Sequence, residues 1–314
     1  ETLLSTHTIC IDCKKKLEAG INFINKYLST RLGDLNIWLM PTIAGQLDLD
    51  LLDRIKQIYK NAFDEAKRYT SLTALEDVEK NVNRYLKAGG AVHILFGRAQ
   101  FSQFVYHGMV QDVRILRFVE VGKLSLKIAA AISEHLPFTH WEVGLEKIYT
   151  VFPLRVIQGE VKAKPFIELV NAILTNSYYP KEDIIYRALL LAKIHRYENY
   201  TGYNIRVDRS KSGDEKLCED IVFYNVLIKL LKELGVCSME MSDINFTLEG
   251  VEEDVVEFCK KQGYSEWQAG LFLLGFLIGK IGAAQYDKGD KKKSILDKID
   301  FNGMSAEKVK VLTN

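Results

Sequence analysis

Two thiols and a set of lysine clusters are the groups in this chain best placed to do chemistry. Cys10-Ile-Asp-Cys13 sets two cysteines three residues apart, with His7 three residues upstream. Thiolates at this spacing can grip one zinc ion from a knuckle that runs into a helix. A structural zinc needs four ligands, and the second pair is absent from the sequence. Cys10 and Cys13 therefore read either as half of a zinc ribbon or as inert thiols. A redox pair would want a preceding strand in a βαβ unit, and none is visible. Cys218, Cys237 and Cys259 fall within apolar helical patterns and read as core.

Positive charge is gathered in three places. Lys14, Lys15 and Lys16 open a helix, where cations oppose the dipole. They suit an external anion such as phosphate, or simply a solvated face. Lys288, Lys291, Lys292 and Lys293 crowd a turn, and Arg206, Arg209 and Lys211 lie in a polar loop. Groups of this kind add sequence-independent, salt-sensitive affinity for a nucleic-acid backbone. Tyr178, Tyr179, Tyr197, Tyr200 and Tyr203 interleave with Arg187, Arg196 and Arg206. That pattern fits stacking of unpaired bases, or amphipathic packing at helix ends.

Catalytic patterns are missing. The six histidines form no H-E-x-x-H, and there is no G-x-S-x-G and no P-loop. Gly89-Gly90 precedes a strand, the wrong order for a phosphate-cradling loop that opens a helix. No His–Asp dyad is apparent, and the carboxylates scatter along amphipathic helices. The chain reads as a non-enzyme.

Composition bounds the alternatives. At 314 residues, two domains are expected. Hydrophobic content of 47% and charged content of 26% suit a globular protein with a sizeable core. The net charge of +1 means that any nucleic-acid contact must come from local patches. Five cysteines without a disulfide framework fit a reducing, cytoplasmic compartment. The chain opens at Glu1 with no basic-plus-apolar leader, so no signal peptide is read. The apolar run 269–284 is interrupted by Lys280 and falls short of the ~20 residues a membrane span needs, so a buried helix is expected.

The elements that must position these groups follow from periodicity. Helices are expected over about 10–30, 49–69, 72–86 and 124–133, and a short strand over 35–40 that stops at Pro41. The runs 91–98 and 101–107 read as a β-hairpin, with 113–119 as a third strand beside it. The stretch 141–156 is ambiguous. Beyond Pro165 the pattern turns helical, over 166–175, 181–197, 218–234, 251–262, 266–285, 292–299 and 305–312. The polar stretch 200–215 reads as a loop. Gly275, Gly279 and Gly282 share one side of a helix, and glycine there costs about 1 kcal/mol against alanine. A close helix crossing is the expected return. The fold class is thus an α+β N-terminal part with a small antiparallel hairpin or sheet over 1–164, and an all-α helical bundle over 165–314.

Three segments resemble the large subunit of type I-B CRISPR surveillance complexes (Cascade), the Csh family. The first is Ile9-Cys10-Ile11-Asp12-Cys13 running through Leu17, Gly20, Phe23 and Leu28 to Arg31-Leu32-Gly33 and Ile37-Trp38-Leu39-Met40-Pro41. The second is the β segment Val92–Phe96 followed by Phe101–Val105. The third and most specific is Leu271–Gln285 followed by Ile295-Leu296-Asp297-Lys298-Ile299-Asp300-Phe301-Asn302-Gly303-Met304. The resemblance implies a non-catalytic subunit. It would touch the short duplex motif beside the target, help seat the guide RNA and stabilise the R-loop while pairing reads the sequence. Its partners would be guide RNA, target DNA, other Cascade subunits and a helicase-nuclease, with no membrane. The C-terminal bundle would resemble the complex's small subunit. The rival expectation is an architectural helical scaffold without nucleic-acid contact.

Overall fold

The computed structural model describes residues 10–42, 49–86, 90–100, 103–133, 143–207, 213–237 and 251–287. The chain separates into two compact units, Glu1–Cys237 and Ser238–Asn314.

The first unit begins with helix α1 (Ile11–Tyr27) and a four-stranded antiparallel meander: β1 (Ser29–Leu32), β2 (Leu35–Thr42), β3 (Ala91–Gln100) and β4 (Gln103–Arg114), in that order. Along β2 the side chains alternate. Leu35, Ile37 and Leu39 are buried, while Asn36, Trp38 and Met40 are half-buried. This is the period of a sheet with one packed face. Strand β1 had no sequence signal long enough to stand alone. It forms because Gly33, at φ +57°, allows the chain to turn tightly between paired Leu32 and Leu35. Pro41 does not end β2 as expected. The strand continues to Thr42, since β1 pairs only as far as Trp38 and Pro41 has β3 as its partner.

Between β2 and β3 lie α2 (Leu49–Arg68) and α3 (Leu72–Tyr85). The α2 stripe Ile55, Tyr59, Ala62, Phe63 and Ala66 is buried, as the spacing predicts. The expected third strand over 113–119 is corrected. Strand β4 ends at Arg114, and α4 (Ile115–Ser133) starts at the next residue. Its β-branched opening misleads, but Ile115, Phe118, Val119, Gly122, Ser125 and Ile128 are buried at helical intervals. Gly122 permits the contact, because a Cβ there would stand 2.6 Å from the Tyr69 ring.

The ambiguous stretch resolves into α5 (Leu145–Val151) and a small hairpin, β5 (Val156–Ile157) with β6 (Glu160–Val161). Three helices complete the unit: α6 (Lys164–Thr175), α7 (Lys181–Arg196) and α8 (Gly213–Glu233). Pro165 sits in the first turn of α6, where its missing N–H costs nothing, and Asn176 caps the other end in the left-handed conformation. The expected architecture, α+β first and mainly helical afterwards, is the one observed.

In the second unit α9 (Glu253–Gln262) ends at Gly263, φ +67°, and α10 (Glu266–Asp287) follows. Ser265 and Gln268 form a reciprocal cap: the Gln268 N–H donates to Ser265 Oγ at 3.3 Å, and the Ser265 N–H donates to Gln268 Oε1 at 2.8 Å. Phe258 stacks on Phe272, with ring centroids 5.2 Å apart, over buried Cys259 and Ala269. Two expectations are corrected here. The helix is not buried throughout, for Leu271 and Leu277 are 64% and 52% exposed. Nor, among the described residues, does a helix cross at Gly275 or Gly279, where none of them lies within 4 Å of an added Cβ. The helices expected over 292–299 and 305–312 lie outside the described residues. Among the described residues, no helix is long and apolar enough to cross a membrane.

Candidate nucleic-acid interface

Lys14, Lys15 and Lys16 occupy the first turns of α1, all exposed. The helix starts because Cys10 caps it: the Cys13 N–H donates to Cys10 Sγ at 3.3 Å and the Lys14 N–H to the Cys10 carbonyl at 2.9 Å. No residue of α1 is buried. Its far end is tied down instead. The Trp38 indole N–H donates to Asn25 Oδ1 at 2.9 Å, and Leu28, just past the helix, is fully buried. The lysine end thus stands in solvent on an anchored rod. Three consecutive helical residues fan over roughly 200°, so one straight strand cannot meet all three ammonium groups. Lys14 also faces Glu18 at 3.8 Å, an exposed pair of small energetic value.

Arg206 is elsewhere, beside the β1–β2 turn. Its Nη2 donates to Asp34 Oδ1 at 3.4 Å, and the Tyr149 hydroxyl donates to Asp34 Oδ2 at 3.3 Å. No contact among the described residues joins Arg206 to the α1 lysines. Arg209, Lys211, Lys288, Lys291, Lys292 and Lys293 lie outside the described residues, as does His7.

Cys10 and Cys13 are both exposed. The Cys13 N–H holds the Cys10 thiol below its ordinary range, while the hydrogen bond with Cys10 raises Cys13. Two thiols supply half of a tetrahedral zinc site. No group of three or more His, Cys, Asp or Glu side chains able to hold a metal occurs among the described residues. The described residues therefore do not make a complete zinc site. Of the three cysteines expected in the core, Cys237 and Cys259 are buried. Cys218 is not; it lies on the exposed side of α8.

The tyrosine–arginine run divides between surface and interior. Tyr178 and Tyr197 are exposed, whereas Tyr179 is buried and its hydroxyl donates to Asp183 Oδ2 at 2.5 Å. Arg187 is buried too. Its guanidinium lies 4.4 Å from the centre of the Phe152 ring and donates to Asp183 and to the Pro153 carbonyl, each at 2.7 Å. The Phe152 ring occupies one side of the guanidinium plane, two donors are engaged and the residue is buried, so Arg187 is core architecture.

A His–Asp pair that the linear sequence concealed appears between α7 and α8. His195 Nε2 lies 3.1 Å from Asp220 Oδ2, and His195 Nδ1 lies 3.1 Å from the Tyr200 hydroxyl. Lys216 donates to Asp220 Oδ1 at 2.5 Å, and Lys147 of α5 stands 3.6 Å from the same oxygen. Burial alone would raise the Asp220 carboxyl. The bonds from His195 and Lys216 and the two ammonium charges outweigh it and hold Asp220 below its usual range. Burial and the Lys216 charge lower Lys147 in turn, against Asp220. The His195 and Asp220 side chains are each only 1% exposed. The pair is enclosed, and its work is to tie α5, α7 and α8 together.

A polar groove of about 320 Å³ runs between α2 and α3, lined by Arg54, Gln57, Asn61, Glu65, Asp77 and Tyr85 among others. Glu65 Oε2 is buried there without a hydrogen-bond partner among the described residues. Burial and then the Asp64 charge raise the Glu65 carboxyl. A raised folded pKa gives stability that is present in acid and lost as pH rises through it. Glu65→Gln should therefore raise the melting temperature at neutral pH and leave it nearly unchanged near pH 4. Thermal melts at the two pH values check this, and a variant less stable at neutral pH would refute it.

Comparison with known proteins bears on both ends of the chain. The profile of the CRISPR-associated protein TM1802 central domain matches residues 1–119, and that of the C-terminal domain of the same protein matches residues 143–314. No curated protein matches the chain. The central-domain match takes in α1 with its lysines, the sheet, and α2 and α3. The C-terminal match takes in Arg206, the buried His195–Asp220 cluster and the second unit. With more than half of its length matched by one profile alone, the chain belongs to the CRISPR-associated protein TM1802 family.

Proposed function

We propose that this chain is the non-catalytic large subunit of a type I-B CRISPR surveillance complex, holding nucleic-acid backbones while guide RNA pairing reads the target. The observation that carries the reading is the match to both TM1802 domains in chain order. Solvent-facing lysines on an anchored helix add support, because cations presented this way position a polyanion without reading it. Delegating sequence to the guide leaves the protein with backbone and duplex-motif contacts. In this reading the partners are guide RNA, target DNA, the other Cascade subunits and a recruited helicase-nuclease, and the compartment is the cytoplasm.

The test is made on the assembled complex. Changing Lys291, Lys292 and Lys293 to alanine should reduce R-loop formation. It should also flatten the dependence of log affinity on log salt by about 2–3 in slope, close to one counterion per lost phosphate contact. An unchanged slope and unchanged R-loop yield would reject the phosphate role. The second reading, an architectural scaffold, draws on the exposed apolar side chains of Leu271 and Leu277 on α10, which suit contact with protein. It predicts that the intact chain alone retains neither single-stranded nor duplex DNA in a filter-binding assay.

A further inference from the structure

The sheet has one face packed and one face only partly covered, where Trp38, Leu95 and Met109 are half-buried. Ile37, Ile94, Phe96 and Val110 are fully buried on the packed side, where α6 sets Ile167 against Gly108. The register sends the alternate residues outward. Trp38 pairs with Leu95, Leu95 with Met109 and Gly97 with Tyr106, and Phe104 lies two residues before Tyr106 on the same side. Two of these outward side chains are large rings held in solvent, Phe104 at 49% and Tyr106 at 59% exposed. A third ring is fixed beside them. Trp38 and Phe104 meet edge to face with centroids 5.0 Å apart, and Asn25 of α1 holds the indole N–H.

Glycine makes the arrangement possible. Phe104 reaches across β3 at Gly97, where a Cβ would stand 2.7 Å from its Cζ. The rings therefore span three strands, with Trp38 on β2, the Gly97 gap on β3, and Phe104 and Tyr106 on β4. Phe104 and Tyr106 are two residues apart on one face, roughly 7 Å along the strand. An open sheet bearing rings in this pattern can take two or three unpaired bases, one on each ring.

The charge on this face selects among occupants. Arg31 projects outward from β1 opposite Asn36 and donates to its Oδ1 at 3.2 Å. Among the described residues no carboxylate stands within ion-pair distance of Arg31. Asp34, in the adjoining β1–β2 turn, is paired with Arg206, and Asp112 stands beside His93 at the opposite end of the sheet. Rings flanked by an uncompensated guanidinium complement a polyanion with exposed bases better than they complement an apolar protein surface. The Asn36 amide and the Tyr106 hydroxyl border the rings and can exchange hydrogen bonds with a ribose 2′-hydroxyl, which DNA lacks.

We infer that the outer face of this sheet is a stacking platform for single-stranded RNA, with bases on Trp38, Phe104 and Tyr106 and phosphate at Arg31. The inference deepens the proposed function and rests on it, since it names the nucleic acid and the surface that receives it. It differs in mechanism from the lysine contacts: stacking is tolerant of salt, whereas phosphate contacts are not.

The experiment uses the intact chain with a short oligouridylate and an oligothymidylate of equal length. Phe104→Ala and Tyr106→Ala should each weaken RNA binding about tenfold and leave its salt slope unchanged. Phe104→Tyr, which keeps a ring, should restore affinity. Bound RNA should quench tryptophan fluorescence, and Trp38→Phe should abolish that quench. Melting curves of the alanine variants, whose rings are half in solvent, should overlay the parent. An unchanged affinity in the double alanine variant, with the salt slope intact, would overturn the platform alone. Equal affinity for oligothymidylate would overturn the choice of RNA. A parent chain that binds neither polymer would remove the proposed function along with the platform.

Discussion

Asp220→Ala is expected to lower folding stability by about 3–5 kcal/mol at neutral pH, the usual cost of removing one partner from a buried ion pair. For a unit of this size, that corresponds to a fall of roughly 10 °C in melting temperature. The loss is large because the variant strands three groups at once. His195 loses the partner of Nε2, and Lys216 and Lys147 face each other without the carboxylate between them. Asp220→Asn, which keeps a hydrogen-bond acceptor but not the charge, should fall between parent and alanine.

The pH profile carries the mechanism. Asp220 is held below its ordinary value of 3.8, so its stabilising contribution is present above that value and is lost as pH falls through the lowered one. The parent–variant gap should therefore close in acid. At the alkaline end Lys147, already lowered mainly by burial, loses its charge more readily once Asp220 is gone, and the gap should narrow again. Chemical denaturation across pH measures this directly. A gap that stays constant from acid to alkali would mean that packing, not charge, holds α5, α7 and α8. Because the cluster is enclosed, the salt slope of nucleic-acid binding at permissive temperature should not move.

The second large effect is at Gly144. Its backbone is ordinary, φ −95° and ψ 172°, so any residue could adopt it. Space is the constraint. An added Cβ would stand 2.1 Å from the Lys67 carbonyl oxygen and 2.5 Å from the Arg68 Cα. The N-terminus of α5 abuts the C-terminus of α2 at this point, an alignment of opposite helix-end charges that works only at close range. Gly144→Ala must push main chain apart, at a cost of about 3 kcal/mol. Gly20→Ala supplies the contrast. It lies in α1 with nothing within 4 Å, so the methyl should add roughly 0.5–1 kcal/mol through helix propensity. Equilibrium unfolding of the pair checks both signs. A mild Gly144→Ala would show that the α2–α5 junction is looser than drawn.

Periodicity by itself placed α2, α3, α6, α7, α9 and α10 to within a few residues. The α2 stripe, the start of α3 at Ser71, whose hydroxyl accepts the Ala74 N–H, and the α9–α10 break at Gly263 follow from local spacing and capping. Local spacing failed where two elements share a residue type. The β-branched start of α4 looked like strand, and only burial at every third or fourth position reveals the helix. The lysine, arginine and cysteine positions were also plain in the sequence, because charge and thiol chemistry need no partner to be recognised.

Tertiary structure alone decided the rest. His195 and Asp220 are twenty-five residues apart and meet only because α7 and α8 pack. Arg187 left the set of candidate stacking groups because its guanidinium faces Phe152 and Asp183. Trp38, Phe104 and Tyr106 became a surface only when antiparallel register put three strands side by side and Gly97 left a gap between them. Which side of a strand is buried depends on what packs against it. That is a property of distant residues, which a short window of sequence cannot contain.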